Sequence, residues 1–327
     1  MSEIEIEGGP RVPCADGDTL LAAGLRAGLG MPYECNAGGC GTCKVEVTAG
    51  SIETLWPDAP GLSDRDRRKG RVLACQSRPV GDCRIRLRLD PACVPPVPPR
   101  RQRARLIGAA DITRDIREFR FATEAPAAFL PGQYAMLSVD GGPRRAYSLS
   151  NIANTAGEWH FQIRRVPGGA MTGWLFDAPP ASVELDGPFG LAHLRPGTRD
   201  IVCVAGGSGL APMVSIARGI AADPNDGRRV HFIHAGRAAA DLPGAGWAEA
   251  LIGLGARLDY RPVVSGDDTG GLPRGFAHEA LAAFAAGRFD DFDYYCAGPP
   301  MMMQALEALL LVEQGLPASR LRFDRFF

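Results

Sequence analysis

The sequence predicts a multidomain protein with a small mixed α and β domain, an antiparallel β-barrel, and an α/β domain built on a parallel sheet. Three observations predict this. At 327 residues the chain exceeds the ~100–200 residues expected of one domain. The run Val94-Pro95-Pro96-Val97-Pro98-Pro99, followed by Arg100, Arg101 and Arg103, can neither pair in a sheet nor extend a helix, and reads as a stiff linker. Beyond it the texture changes twice, to short strand-like runs from Ala104 and to apolar runs alternating with helix-like stretches from Asp200. The expected domains are 1–93, a linker over 94–103, 104–196 and 197–327.

In the first domain, Leu20, Leu21, Leu25 and Leu29 follow Asp18-Thr19, a helix start with an apolar face. Lys44 to Val47 alternates at period two, as do Ile85, Leu87 and Leu89 against Arg84, Arg86 and Arg88; both predict half-buried strands. The barrel is expected from Arg117–Phe121, Tyr134–Val139, Trp159–Val166 and Ser182–Leu185, each bounded by Gly or Pro turns. In the last domain the strands Ile201–Ala205, Val230–Ala235, Leu258–Val264 and Phe292–Ala297 alternate with helices over Ala211–Ala222, Phe276–Ala286 and Met301–Glu313. That alternation argues for a parallel sheet covered on both faces.

Lys plus Arg (36) nearly balances Asp plus Glu (37), so no overall field draws the chain to nucleic acid or an anionic membrane. No run approaches the ~18 apolar residues of a membrane span. Met1 to Glu7 is acidic and lacks the pattern of a secretory signal, so a cytoplasmic protein is expected. Nine cysteines in such a chain point to thiolate chemistry or metal binding rather than disulfides.

Four of them carry a pattern. Cys35, Cys40 and Cys43 read C-x4-C-x2-C, and Cys75 follows 32 residues after Cys43, the plant-type 2Fe-2S spacing. The competing reading, a four-cysteine zinc site, more often uses two short C-x2-4-C knuckles. Gly38, Gly39 and Gly41 let the loop wrap tightly and bring backbone N–H groups to sulfur. Cys14, Cys83, Cys93 and Cys203 have no motif context. Further on, Arg144-Arg145-Ala146-Tyr147-Ser148 precedes Gly168-Gly169-Ala170-Met171-Thr172, which opens a helix-like segment whose N-terminus can receive a pyrophosphate. Gly169, Met171 and Thr172 are therefore cofactor-binding candidates. Gly206-Gly207-Ser208-Gly209-Leu210-Ala211-Pro212 then links strand to helix, exposing backbone N–H groups to a second pyrophosphate through Gly207, Ser208 and Gly209. It departs from the G-x-G-x-x-G fingerprint.

Together these elements resemble the ferredoxin-NADP reductase superfamily, whose R-x-Y-S and G-G-[ST]-G-x-A-P motifs they match. The resemblance implies that Arg145 contacts flavin phosphate, Tyr147 packs along the isoalloxazine and Ser148 hydrogen-bonds near its N5. Tyr295-Cys296-Ala297-Gly298-Pro299 is similar to the family's C-G-P element, which would set Cys296 beside the nicotinamide and give Gly298 and Pro299 to the nucleotide. Here Ala297 interrupts that motif. The terminal Phe327 would cover the flavin. The cofactors implied are a 2Fe-2S cluster, FAD and NADH, with a β-grasp ferredoxin domain first. Arg237 could face a 2′-phosphate and Asp241 a free ribose.

More narrowly, Pro32-Tyr33-Glu34-Cys35, Leu55 to Leu62 and Phe323-Asp324-Arg325-Phe326-Phe327 resemble the reductase of the toluene, alkene and isoprene multicomponent monooxygenases. That likeness implies an NADH-dependent reductase passing electrons to a Rieske-type ferredoxin that supplies a di-iron hydroxylase. Rival readings are the reductase of a Rieske ring-hydroxylating dioxygenase or of a deoxysugar pathway, and a redox-sensing or complex-bound electron-transfer subunit. No E-x-x-H pair builds an oxygen-activating site in this chain itself. Residues 1–60 carry nine acids and three bases, whereas residues 61–93 carry nine bases and four acids. One side of this polarity is expected to dock a carrier protein.

Overall fold

The computed structural model describes residues 2–139, 142–244, 246–247 and 253–325. They pack as two compact units, one of residues through Arg101 with Asp186–Leu191, the other of Gln102–Leu185 with the chain from Ala192 onward. The barrel and the parallel sheet thus share one unit.

In the first unit, β1 (Ser2–Ile6), β2 (Arg11–Cys14), β3 (Lys44–Thr54), β4 (Arg71–Leu73) and β5 (Ser77–Arg86) form a sheet of order β2-β1-β5-β3-β4. The β1–β5 pair is parallel and its neighbours are antiparallel. Ile4 and Ile6 are buried, and helix α1 (Leu20–Arg26) is buried from Leu20 to Leu25. Thr19 caps that helix, its Oγ1 accepting from Ala22 N at 3.2 Å. Strand β5 stops at Arg86, so Leu87 and Leu89 lie outside the expected strand. β1 and β2, of five and four residues, are additional to the strands expected from sequence.

The chain enters the second unit along β6 (Arg100–Asp111), a strand that incorporates Arg100 to Arg103, residues expected in the linker. It is joined by β7 (Ile116–Ala122), β8 (Tyr134–Ser138), β9 (Arg144–Ser148), β10 (Glu158–Arg164) and β11 (Ser182–Phe189), in the order β10-β7-β6-β11-β8-β9. An antiparallel bridge between Leu149 and Phe161 and a 2.8 Å bond from Ser150 N to His160 O tie the two ends together as a barrel. Phe119, Phe121, Phe161 and Trp159 fill its interior, with α3 (Ala170–Asp177) over it through Met171 and Leu175.

The parallel sheet runs β14-β13-β12-β15-β16, built from β12 (Asp200–Gly206), β13 (Val230–Gly236), β14 (Leu258–Val264), β15 (Phe292–Gly298) and β16 (Leu321–Arg325). All four pairings are parallel. One face packs on α4 (Leu210–Ala222), the other on the helices Ala277–Ala285 and Pro300–Glu307, the latter widening into a π-helical stretch over Ala308–Glu313. The chain end supplies edge strand β16. Phe326 and Phe327 lie outside the described residues. No helix among those described is long and apolar enough to cross a membrane.

His234 is buried in this sheet, its Nδ1 2.9 Å from the Tyr260 hydroxyl, and burial holds its pKa down to about 3 against an ordinary 6.5. Between these values the unfolded chain binds the proton that the folded one refuses, so this stability is complete above pH ~6.5 and is lost as pH falls toward 3. The melting temperature of His234→Gln is expected to fall less steeply than that of the wild type between pH ~6.5 and ~4; parallel slopes would contradict it.

Candidate functional site

The thiol loop is positioned by strand register. Lys44 pairs with Leu73 across β3 and β4, and Ala74 N donates to Cys43 O at 2.9 Å, which sets Cys75 beside Cys43 despite their sequence distance. The Cys43 and Cys75 sulfurs are 3.3 Å apart. Across the loop, Ala37 N and Cys40 N each donate to Cys35 Sγ at 3.4 Å, and Thr42 N donates to Cys40 Sγ at 3.5 Å. Hydrogen bonding to Cys35 draws the Cys40 thiol down to about 5, and bonding to Cys75 likewise lowers Cys43. In each pair one sulfur is shifted toward the thiolate, the form that ligates metal, and its partner, Cys35 or Cys75, away from it.

The thiols fall into two pairs; among the described residues no His, Cys, Asp or Glu group of three or more is arranged around a single metal ion. A two-iron cluster with two thiolates per iron fits such pairs, whereas a tetrahedral zinc site needs one quartet. Both amide atoms of Asn36, next to Cys35, and Ser77 Oγ, two residues after Cys75, are buried with no hydrogen-bond partner in the protein. Polar atoms left so cost about 1–3 kcal/mol each; the sulfides of a cluster could accept from the two donors, Asn36 Nδ2 and Ser77 Oγ.

On β9, Arg145 is exposed, Tyr147 is half-buried against the barrel core and Ser148 is buried opposite Tyr134. Gly169 caps α3, while Thr172 Oγ1 is spent locally, accepting from Val166 N at 3.2 Å, and Met171 belongs to the core. The barrel is fastened to α4 by Ser215, which receives Gly132 N at 3.2 Å and donates to Asn151 O at 2.7 Å, and by Arg218, which donates to Ser150 O at 2.8 Å. Neither residue carried a signal in the sequence, because their partners lie more than 60 positions away.

The strand order reverses between β12 and β15, and at their C-terminal ends stand Gly207-Ser208-Gly209 and Gly298-Pro299, where open α/β sheets bind ligands. At Gly209 a Cβ would overlap the Ala297 carbonyl and stand 2.9 Å from Gly298 N, so the two ends meet backbone to backbone. Arg164, absent from the sequence-level candidates, brings Nη1 to 3.3 Å from where a Gly207 Cβ would sit, with its Nε on Asp115 at 2.6 Å. A held guanidinium over a glycine loop suits a pyrophosphate. Cys296 is fully buried among Val204, Leu281 and Met303, and burial pushes its thiol up. Asp241 accepts Arg237 N and Ala238 N at 3.0 Å each and pairs with Arg114, shaping the loop after β13; Arg237 is exposed.

Three family models match in the order of these sites: a 2Fe-2S iron-sulfur cluster binding domain over residues 4–80, an oxidoreductase FAD-binding domain over 103–193 and an oxidoreductase NAD-binding domain over 203–308. A ferredoxin–NAD(P)(+) reductase of Metapseudomonas resinovorans is 38% identical over 338 residues, covering all of both chains. The chain belongs to the ferredoxin–NAD(P)(+) reductase components of oxygenase systems. The ferredoxin–NAD(+) reductase component of the alkene monooxygenase system of Xanthobacter autotrophicus is 40% identical, over 99% of this reductase and 100% of that one. Among solved structures, the ferredoxin reductase in carbazole 1,9a-dioxygenase aligns with a TM-score of 0.91 at 34% identity, covering 100% of this reductase and 98% of that chain. The reductase therefore carries 2Fe-2S, FAD and NAD domains on one chain.

Gly209→Ala is expected to destabilise the reductase by about 1–3 kcal/mol through backbone overlap and to weaken NADH binding, read by thermal melting and by titration. Gly173→Ala in α3, where a Cβ meets nothing within 4 Å, should leave both unchanged or slightly improved.

Proposed function

We propose that this reductase takes electrons from NADH and delivers them to a Rieske-type ferredoxin serving a di-iron hydrocarbon monooxygenase. The observation that carries the reading is the order of three cofactor domains on one chain, matched end to end by the alkene monooxygenase reductase. A nicotinamide gives up two electrons together, a 2Fe-2S cluster passes one at a time, and bound FAD converts between the two.

In this reading Cys35 and Cys40 hold one iron and Cys43 and Cys75 the other. Arg145 binds flavin phosphate, Tyr147 lies along the isoalloxazine, and Ser148 presents its hydroxyl near N5. Gly207, Ser208 and Gly209 offer backbone N–H groups to the nucleotide pyrophosphate and Arg164 neutralises it, while Gly298 and Pro299 shape the nicotinamide end. Cys296 has a packing role, supported by its enclosure in apolar side chains. NADH as donor is favoured by the likeness to the ferredoxin–NAD(+) reductase component of the alkene monooxygenase system. A second reading, reductase of a ring-hydroxylating dioxygenase, is favoured by the likeness to the carbazole enzyme.

With NADH as donor, Cys40→Ser should lose most reduction of a Rieske-type ferredoxin and the iron–sulfur visible absorption while keeping ferricyanide reduction through the flavin. Loss of ferricyanide reduction as well, in a variant that still binds FAD, would remove the cluster from the exit side. Reconstitution with a di-iron hydroxylase and, separately, with a Rieske dioxygenase decides between the two readings by which one turns over.

A further inference from the structure

The charge asymmetry of the first domain changes meaning in three dimensions. In its acidic half three carboxylates are paired across the sheet: Glu5 with Arg84 at 2.9 Å and Arg11 at 2.8 Å, Glu7 with Arg86 at 2.9 Å, and Glu46 with the same Arg86 at 3.1 Å. The basic run is not. Arg65, Arg68 and Lys69 are exposed, and among the described residues no ion pair engages them. Asp66, the buried acid in their midst, is turned inward onto Ser63 Oγ at 2.7 Å, Lys44 at 2.9 Å and Arg71 at 3.0 Å.

This cationic strip lies beside the thiol loop. It is carried by the short helix α2 (Asp64–Arg68), which Arg67 fastens to the segment 55–62 by donating to the carbonyls of Pro57, Ala59 and Leu62. That segment is fastened in turn to the thiol loop, Gly61 N donating to Gly38 O at 2.9 Å. The Trp56 ring covers the loop, its Cε3 3.1 Å from where a Gly38 Cβ would stand, yet 45% of the residue is exposed, with Leu55 at 37%. A groove of about 410 Å³ runs from Trp56 and Leu62 past Arg67 and Arg71 to Gln76, the neighbour of Cys75. An open tryptophan among arginines, on the cover of the redox loop, is the composition of a protein-binding hot spot.

We infer that Trp56, Leu55 and the cationic face of Arg65, Arg68 and Lys69 dock the electron-accepting iron–sulfur protein, and that the partner's contacting surface is acidic. The inference rests on the electron-delivery reading above and adds its place and sign. Charge complementarity selects the occupant: around the cover of the thiol loop the exposed cations Arg65, Arg67, Arg68 and Lys69 outnumber the exposed acids Asp58 and Asp64, so this face is net positive. Trp56 supplies the apolar anchor and the cations steer the encounter.

The test uses the full-length holoprotein and its variant Arg65→Glu/Arg68→Glu/Lys69→Glu, with NADH as donor and three acceptors: an acidic Rieske-type ferredoxin, basic cytochrome c and ferricyanide. The variant is expected to raise the KM for the acidic ferredoxin about tenfold or more and to lose the salt dependence the wild type shows, with unchanged ferricyanide rates and unimpaired cytochrome c reduction. Trp56→Ala should raise the same KM without altering salt dependence. An unchanged KM for the ferredoxin in both variants, with the wild type active on it, overturns the surface alone. A wild type that reduces ferricyanide but never the Rieske-type ferredoxin overturns the partner class, and with it the occupant assigned here.

Discussion

At Gly61 a Cβ would stand 2.6 Å from Gly41 N and 2.7 Å from Gly38 O, and at Gly209 it would overlap the Ala297 carbonyl. Both ends of the redox chain depend on this contact of backbone with backbone. Where two loops meet without side chains between them, their N–H groups are free to point at what lies inside, and the geometry is fixed by peptide planes rather than by rotamers. Around the thiols this yields N–H groups directed at sulfur; at the parallel sheet it yields a bare crevice between β12 and β15.

The electrostatics follow a similar division between what is spent and what is left. Ion pairs across β1, β5 and β3 are exposed, and each is worth little to stability, ~0–1 kcal/mol. Their effect is on the field, since they offset part of the acidic half of the first domain while Arg65, Arg68 and Lys69 near the cluster loop carry no ion pair. In the second unit the important charges are held: Arg164 by Asp115, and Asp241 by two backbone N–H groups and Arg114. A charge fixed before the ligand arrives loses little entropy on binding.

Legibility tracked local pattern. Leu258–Val264 was readable to the residue because β-rich sequence with clear flanks needs no partner to be recognised. Leu87 and Leu89 continued the alternation of β5 yet fall outside it, because a strand ends where its partner ends and not where its pattern does. Arg100 to Arg103 looked like a solvated hinge, but pairing with neighbouring strands recruited them into β6. The edge strand β16 was hidden for the same reason, its register being supplied by Tyr294 to Gly298.

By itself the sequence determined the chemistry on offer: cysteine spacing, the Arg-x-Tyr-Ser strand and the glycine loop each require only residues close together along the chain. Tertiary structure alone decided which groups are available. It sorted four thiols into two pairs, enclosed Cys296 in a core, set Arg164 over Gly207, and paired some charges across the first sheet while leaving Arg65, Arg68 and Lys69 exposed. Those outcomes depend on contacts between residues far apart in sequence, and their distances are set by packing and strand register, which no local motif encodes.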